Sequence, residues 1–228
     1  MNDCSLTRPL RRRVFLQICG TTAAGVVIAG CGNDDDDADA GAETTATTQE
    51  QADVTLDFSQ VAGVLNYAYA LEQLEAAFYT QARETVAKPT ESEYGRVIDA
   101  LKGHEIAHRE FFKEVLGDDA VGALEVNFSE IDFDDQKNVL EVASTFENLG
   151  VGAYNGAAKF LARMGKDAAV PLMAAGDIVA VEARHASVIN DLAGMSFAPD
   201  AFDDALEPAA VLEAAAPFLK TTVRVINA

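Results

Sequence analysis

Cysteine is nearly absent from this chain. Three occur in 228 residues, at positions 4, 19 and 31, and Cys4 and Cys19 fall in what reads as an N-terminal export signal. The one remaining cysteine excludes a disulfide framework, a Cys-x-x-Cys redox pair and a thiolate-held iron–sulfur or rubredoxin module. Basic residues are also scarce, with 17 Lys and Arg against 37 Asp and Glu and a net charge of −20. So negative a surface argues against nucleic acid and against a basic membrane-binding face. It suits a salt-rich exterior such as that of a halophilic host, or an ordinary acidic exported protein. Histidine is the third scarcity: His104, His108 and His185 are all there are.

What is present is an arrangement that occurs twice. Glu72 is followed 33 residues later by Glu105-Ile106-Ala107-His108, and Glu147 is followed 35 residues later by Glu182-Ala183-Arg184-His185. Residues three apart share a helix face, so each Glu-x-x-His can present both side chains to one metal ion. Apolar neighbours place these residues in mid-stripe. Leu101, Glu105, His108, Phe112 and Val115 step by four and three, and Ile178, Glu182, His185, Ile189 and Leu192 take the same steps. Leu65, Ala68, Glu72, Glu75, Tyr79 and Ala82 form a third stripe, and Leu140, Ala143, Glu147, Gly150, Tyr154 and Leu161 a fourth. Such stripes face the core of a bundle, where a charge survives only if paired or metal-bound. A short motif matches by chance often enough, but two in equivalent positions, each preceded by an in-register Glu, argue for a dimetal site. His104 lies off the stripe and reads as a rim residue rather than a ligand.

Four helices are expected near 59–87, 91–117, 135–165 and 167–193. Ser59 is the expected cap of the first, and Thr90 that of the second, with Glu93 completing a capping box. Gly117 and Gly194 mark helix ends. Short loops at 88–90 and 165–166 flank a long link at about 118–134, which gives two antiparallel hairpins joined by a crossover along the bundle. The fold class is therefore all-α, a four-helix bundle with a short C-terminal helix. That helix starts at Glu207-Pro208 and runs to about Ala216. Residues 217–228 are apolar enough to dock on the bundle or touch a partner.

The ends read as follows. Residues 1–30 form a signal, with Arg11-Arg12-Arg13-Val14-Phe15-Leu16-Gln17 fitting the twin-arginine pattern. Ile28-Ala29-Gly30-Cys31 fits a lipobox, with Cys31 lipidated. Cleavage would remove four arginines and one aspartate and leave a net charge of about −23. Residues 31–56, opening with Asp34 to Asp37, read as a disordered acidic tether. The bundle spans 57–195 and a C-terminal extension 196–228. The expectation is export by the twin-arginine route and a lipid anchor on the outer side of the cytoplasmic membrane.

Each of the two stripes without a histidine also carries a tyrosine seven residues after its first Glu: Tyr79 after Glu72, and Tyr154 after Glu147. At this level the chain resembles the ferritin-like superfamily, whose members carry Glu-x6-Tyr on the first and third helices and Glu-x-x-His on the second and fourth. Exported ferritin-like domain proteins are the nearest match, and rubrerythrins are similar in site design. The resemblance covers about 57–195 and implies metal ligation by Glu72, Glu105, His108, Glu147, Glu182 and His185. It also implies that the tyrosines hydrogen-bond ligand carboxylates; packing as core aromatics is the alternative. Glu75 has no counterpart in the third stripe, where Gly150 stands. It is either a seventh carboxylate of rubrerythrin type, with a catalytic role alongside Tyr79 and Tyr154, or a salt-bridged residue at the bundle edge.

Four carboxylates and two imidazoles suit iron or manganese better than structural zinc. The leading expectation is two iron ions in a ferroxidase or peroxide-scavenging oxidoreductase acting on O2 or H2O2. Glu72 and Glu147 would be terminal ligands, Glu105 and Glu182 bridges. A dimanganese catalase-like enzyme and a non-enzymatic metal-binding or stress-related surface protein are the alternatives. Any electron donor must be a separate protein. No nucleic acid is expected, membrane contact is through Cys31 alone, and a homodimer is left open.

Overall fold

The computed structural model describes residues 52–85 and 92–228. The signal, Cys31 and most of the tether lie outside them. Four long helices make the bundle: α1 (Val61–Thr85), α2 (Glu93–Leu116), α3 (Gln136–Arg163) and α4 (Ala169–Leu192). At 1.5 Å per residue each is roughly 36–42 Å long. Helix α1 packs chiefly on α2, and α3 chiefly on α4. Across the middle α1 meets α3, and α2 touches α4 more sparsely. Among the described residues, no helix is long and apolar enough to cross a membrane.

The helix starts differ from expectation. Ser59 does not cap α1: its hydroxyl takes the Gln60 side-chain amide at 3.2 Å, and its N–H donates to Asp57 Oδ1 at 2.9 Å. Helix α2 is capped by Ser92, whose Oγ accepts from the Gly95 N–H at 2.9 Å, and not by Thr90, which lies outside the described residues. Glu93 is thereby the first helical residue. Its far end is Gly117, as expected, and φ of +55° explains the glycine.

The link from α2 to α3 follows α1 lengthwise. Asn66 clamps its start, donating to the Asp119 carbonyl and accepting from the Val121 N–H, both at 2.8 Å. One turn pair on, Gln73 accepts from the Leu124 N–H at 2.9 Å. Further along, Phe78 meets Phe128 and Phe133 with ring centroids 6.1 and 5.6 Å apart. From Asn66 to Phe78 is twelve residues, roughly 18 Å of helix. This is the expected crossover, held by two side-chain amides and three rings. Buried Ser144 and Asn190, with the exposed Asn148 beside them, tie α3 to α4: Ser144 Oγ donates to Asn190 Oδ1 at 2.7 Å, and the Asn148 amide donates to the same oxygen at 3.1 Å.

The segment at the end of the tether is a strand. Residues Val54–Asp57 (β1) pair in parallel with Val223–Ile226 (β2), Val54 opposite Val223 and Asp57 opposite Ile226. The domain thus starts earlier than residue 57, because Leu56 and Phe58 are core residues, 2 % and 1 % exposed. Alternation over four residues is too short a pattern to separate from a tether. The C-terminal segment docks on its own domain: Leu219 bridges Val126, and Phe218 meets Phe146 edge-on at 4.7 Å.

Between α4 and β2 lies the short helix α5 (Pro208–Ala215), with Pro at its start. The chain leading into it is pressed against α3. The Leu206 N–H donates to the Gly152 carbonyl at 2.9 Å, and a Cβ at Gly156 would stand 1.7 Å from the Leu206 carbonyl oxygen. Only glycine permits that approach. Gly156→Ala must displace the 198–206 segment, and we predict a loss of about 1–3 kcal/mol of stability, read as a fall in Tm of roughly 2–12 °C. An unchanged melting curve would show that Leu206 is not seated there.

Candidate metal centre

Each bundle helix brings its acidic stripe residue to one point in the core. Glu72, Glu105, Glu147 and Glu182 are all 0 % exposed, and His185 is 3 % exposed. They form two overlapping groups. One holds Glu72, Glu105, His108 and Glu182; the other holds Glu105, Glu147, Glu182 and His185. Within each, the ligand atoms lie within 4.8 Å of one another. Glu105 and Glu182 belong to both.

The two halves mirror each other. His108 Nδ1 stands 2.9 Å from Glu182 Oε1, 3.2 Å from Glu105 Oε2 and 3.4 Å from Glu72 Oε2. His185 Nδ1 stands 2.9 Å from Glu105 Oε1, 3.4 Å from Glu147 Oε2 and 3.6 Å from Glu182 Oε2. The tyrosines complete the symmetry: Tyr79 OH donates to Glu147 Oε1 at 2.5 Å, and Tyr154 OH donates to Glu72 Oε1. Each tyrosine thus serves the carboxylate of the opposite helix. A later residue of α1 meets an earlier one of α3, and the reverse, so these helices run antiparallel.

The charge distribution is uneasy without a cation. Glu72 Oε2, Glu105 Oε1, Glu147 Oε2, both oxygens of Glu182 and His185 Nδ1 are buried without a hydrogen bond. His185 Nδ1 and Glu105 Oε1 are close, yet off hydrogen-bond geometry. Burial pushes Glu147 up to about 8 and Glu72 well above the usual carboxylate range. Glu105 is also disfavoured by burial, but the two neighbouring imidazoles outweigh this and hold it at about 2. Burial alone would lower both of those histidines. Their carboxylate neighbours prevail and raise each to about 12. With metal–ligand bonds of about 2.1 Å, adjacent ligands of a first-row ion stand roughly 3 Å apart. The unpaired oxygens and the imidazole nitrogens are spaced in that way, and oxygen with imidazole is a donor set for iron, manganese or zinc. The residues fit a pair of metal ions.

A family model for the ferritin-like domain matches residues 60–195. The chain belongs to the ferritin-like domain family. No curated protein matches it. The ferritin-like match begins one residue before α1 and ends just past α4, so the two strands and α5 lie outside the matched residues.

Glu75 is 4 % exposed, not an edge residue, and it makes no ion pair among the described residues. A Cβ at Gly150 would stand 3.2 Å from Glu75 Oε1 and 3.7 Å from Glu182 Oε2. The missing side chain on α3 is what gives Glu75 its room. Burial first, then the charges of Glu182, Glu105, Glu147 and Glu72, raise it well above its ordinary value. It borders a cavity of about 10 Å³ walled by Leu71, Leu74, Phe146, Leu149 and Gly150. His104, read as a rim residue, is exposed, but its Nδ1 lies 2.8 Å from His185 Nε2. The sequence carried a signal for this that the stripe argument passed over: His104 stands four residues before His108, on the same side of α2.

These protonation states give the metal-free protein a pH dependence. A carboxyl held protonated by the fold, as Glu147 is, stabilises below its unfolded value near 4.5, and that contribution is lost as pH rises to about 8. An imidazole held protonated contributes fully below about 6.5 and loses its contribution towards about 12. Both signs agree. The Tm of metal-free protein is expected to fall from pH 5 to pH 9, and a divalent metal is expected to flatten that slope. A metal-free Tm that rises over this range would contradict the arrangement.

Proposed function

We propose that this chain is a di-iron oxidoreductase of the ferroxidase or peroxide-scavenging kind, held at the cell surface by its N-terminus. The observation that carries it is the overlap of the two four-residue groups on Glu105 and Glu182. Two carboxylates, each offering one oxygen to either side, are what bridges between two ions require, while Glu72 with His108 and Glu147 with His185 supply one terminal pair per ion. A bound pair of iron ions would supply two-electron exchange with O2 or H2O2.

The protein's part is to hold, orient and protonate. Tyr154 and Tyr79 occupy one oxygen of Glu72 and of Glu147, which turns the other oxygen towards the shared point. Burial keeps both phenols protonated, with the nearby carboxylates adding to the effect, so both remain donors. Glu75, raised by burial and by four neighbouring carboxylates, holds a proton on the side of the site opened by Gly150. Its cavity, about 10 Å³, is near the size of a single water, which could pass a proton to or from Glu75. Surface anchoring is supported by the Arg11–Gln17 and Cys31 motifs alone, and electrons would come from a separate donor.

Metal analysis of protein purified from its own host tests the reading. About two irons per chain with Fe(II)-dependent peroxide consumption is the expected result. Two manganese ions with oxygen release would move the assignment to a catalase-like enzyme, and bound metal without turnover to a structural role. Glu105→Ala and Glu182→Ala are each expected to abolish binding of both ions, whereas Glu72→Ala removes a ligand of one. Glu75→Ala should keep the metal and lower peroxide turnover by roughly 100-fold, the scale of a lost proton donor; unaffected turnover would reject that role.

A further inference from the structure

The two metal positions are alike in every ligand but not in what stands behind their histidines. His185 turns Nδ1 to the carboxylates and Nε2 to His104 Nδ1 at 2.8 Å. The two ring planes are 12° apart and the centroids 5.1 Å apart. That separation is about the N···N distance plus one ring radius at either end. The nitrogens therefore lie in line between the ring centres, which is a directed hydrogen bond rather than face-to-face stacking. His108 makes its contacts through Nδ1, and among the described residues its Nε2 has no hydrogen-bond partner.

We infer that His104 is a positioning residue that fixes the tautomer and orientation of His185 and so makes the two metal positions unequal. The inference rests on the dimetal reading above. A ligand imidazole offers its lone pair at the atom facing the metal, here Nδ1, so neutral His185 must carry its proton on Nε2. That N–H donates to His104 Nδ1, which in turn requires His104 to carry its own proton on Nε2. An outer partner of this kind orients a ligand histidine and raises its basicity, and its loss typically costs 10–100-fold in metal affinity. The position shared by Glu147 and His185 is accordingly the tighter one, and the position of Glu72 and His108 the weaker.

The sequence His104-Glu105-Ile106-Ala107-His108 also spells the helical H-E-x-x-H pattern in which two histidines chelate one zinc ion. The geometry sets that reading aside. His108 Nδ1 faces Glu182, Glu105 and Glu72, whereas His104 Nδ1 is spent on His185.

The test is a Co(II) titration of the full chain, followed by visible absorption, in the wild type, His104→Ala and His104→Asn. Asn places an amide oxygen where His has Nδ1, so it keeps the acceptor. The wild type is expected to take up two ions. In His104→Ala one equivalent should weaken by about 10–100-fold, with its absorption band altered, while the other binds as before. His104→Asn should largely restore the lost affinity. His104→Asn keeps the acceptor for the buried His185 N–H, so its metal-free Tm should stay near the wild type's, which separates a local effect from misfolding. Equal affinities in His104→Ala and wild type, equal weakening of both equivalents, or no recovery in His104→Asn would overturn the inference. If the wild type itself takes up no Co(II), the dimetal reading falls and this inference falls with it.

Discussion

Four fully buried glutamates around one point are the constraint to which the rest of the molecule answers. An isolated ionised carboxylate in such a setting is too costly to survive, so the fold must supply counter-charge or keep protons in place. Without metal it does both: two imidazoles held charged, and carboxyls such as Glu147 held protonated by burial. Two divalent cations would supply the same charge in place of those protons. The site is built so that protons and metal compete for the same atoms.

Around that point the bundle has a near-twofold order. Tyr79 serves Glu147 and Tyr154 serves Glu72, while Glu105 and Glu182 each divide their oxygens between His108 and His185. This reciprocity needs α1 and α3 to be antiparallel, and that in turn needs a link able to travel the length of α1. Asn66, Gln73 and Phe78 are the fastenings of that link. The symmetry breaks in two places. Gly150 opposite Glu75 opens one side of the centre, and His104 supports one imidazole only.

Most of this was legible because helical spacing is regular. A Glu at mid-stripe, or a His three residues after a Glu, has only one place to point in a bundle, so the six candidate ligands could be brought together from their numbers alone. What spacing does not encode was missed. Thr90 and Ser92 are two residues apart and both of a capping type, so the sequence does not say which one starts the helix. The β1–β2 pair depends on residues about 170 positions apart, and four alternating residues carry too little pattern to reveal it. His104 lies off the apolar stripe and reads as a rim residue, although a residue off the stripe can still direct one atom at a buried one. Glu75 needed the third dimension most, since its setting depends on the atom that Gly150 lacks.

The pairing of the first strand with the last has a consequence for how the domain comes into being. Asp53 bonds Thr222 across 169 positions of sequence, and Val54 to Asp57 find their ladder partners only when that pairing is made. Closing so long a loop costs little more than closing one of half its length, because the entropy grows only with the logarithm. The penalty is in time. A chain emerging from the ribosome can assemble α1 and α2 early, yet its first strand must wait until β2, about 170 residues later, has been made. During that wait the backbone of β1 has no ladder partner, and a chain truncated before Val223 would leave the edge of β1 uncovered.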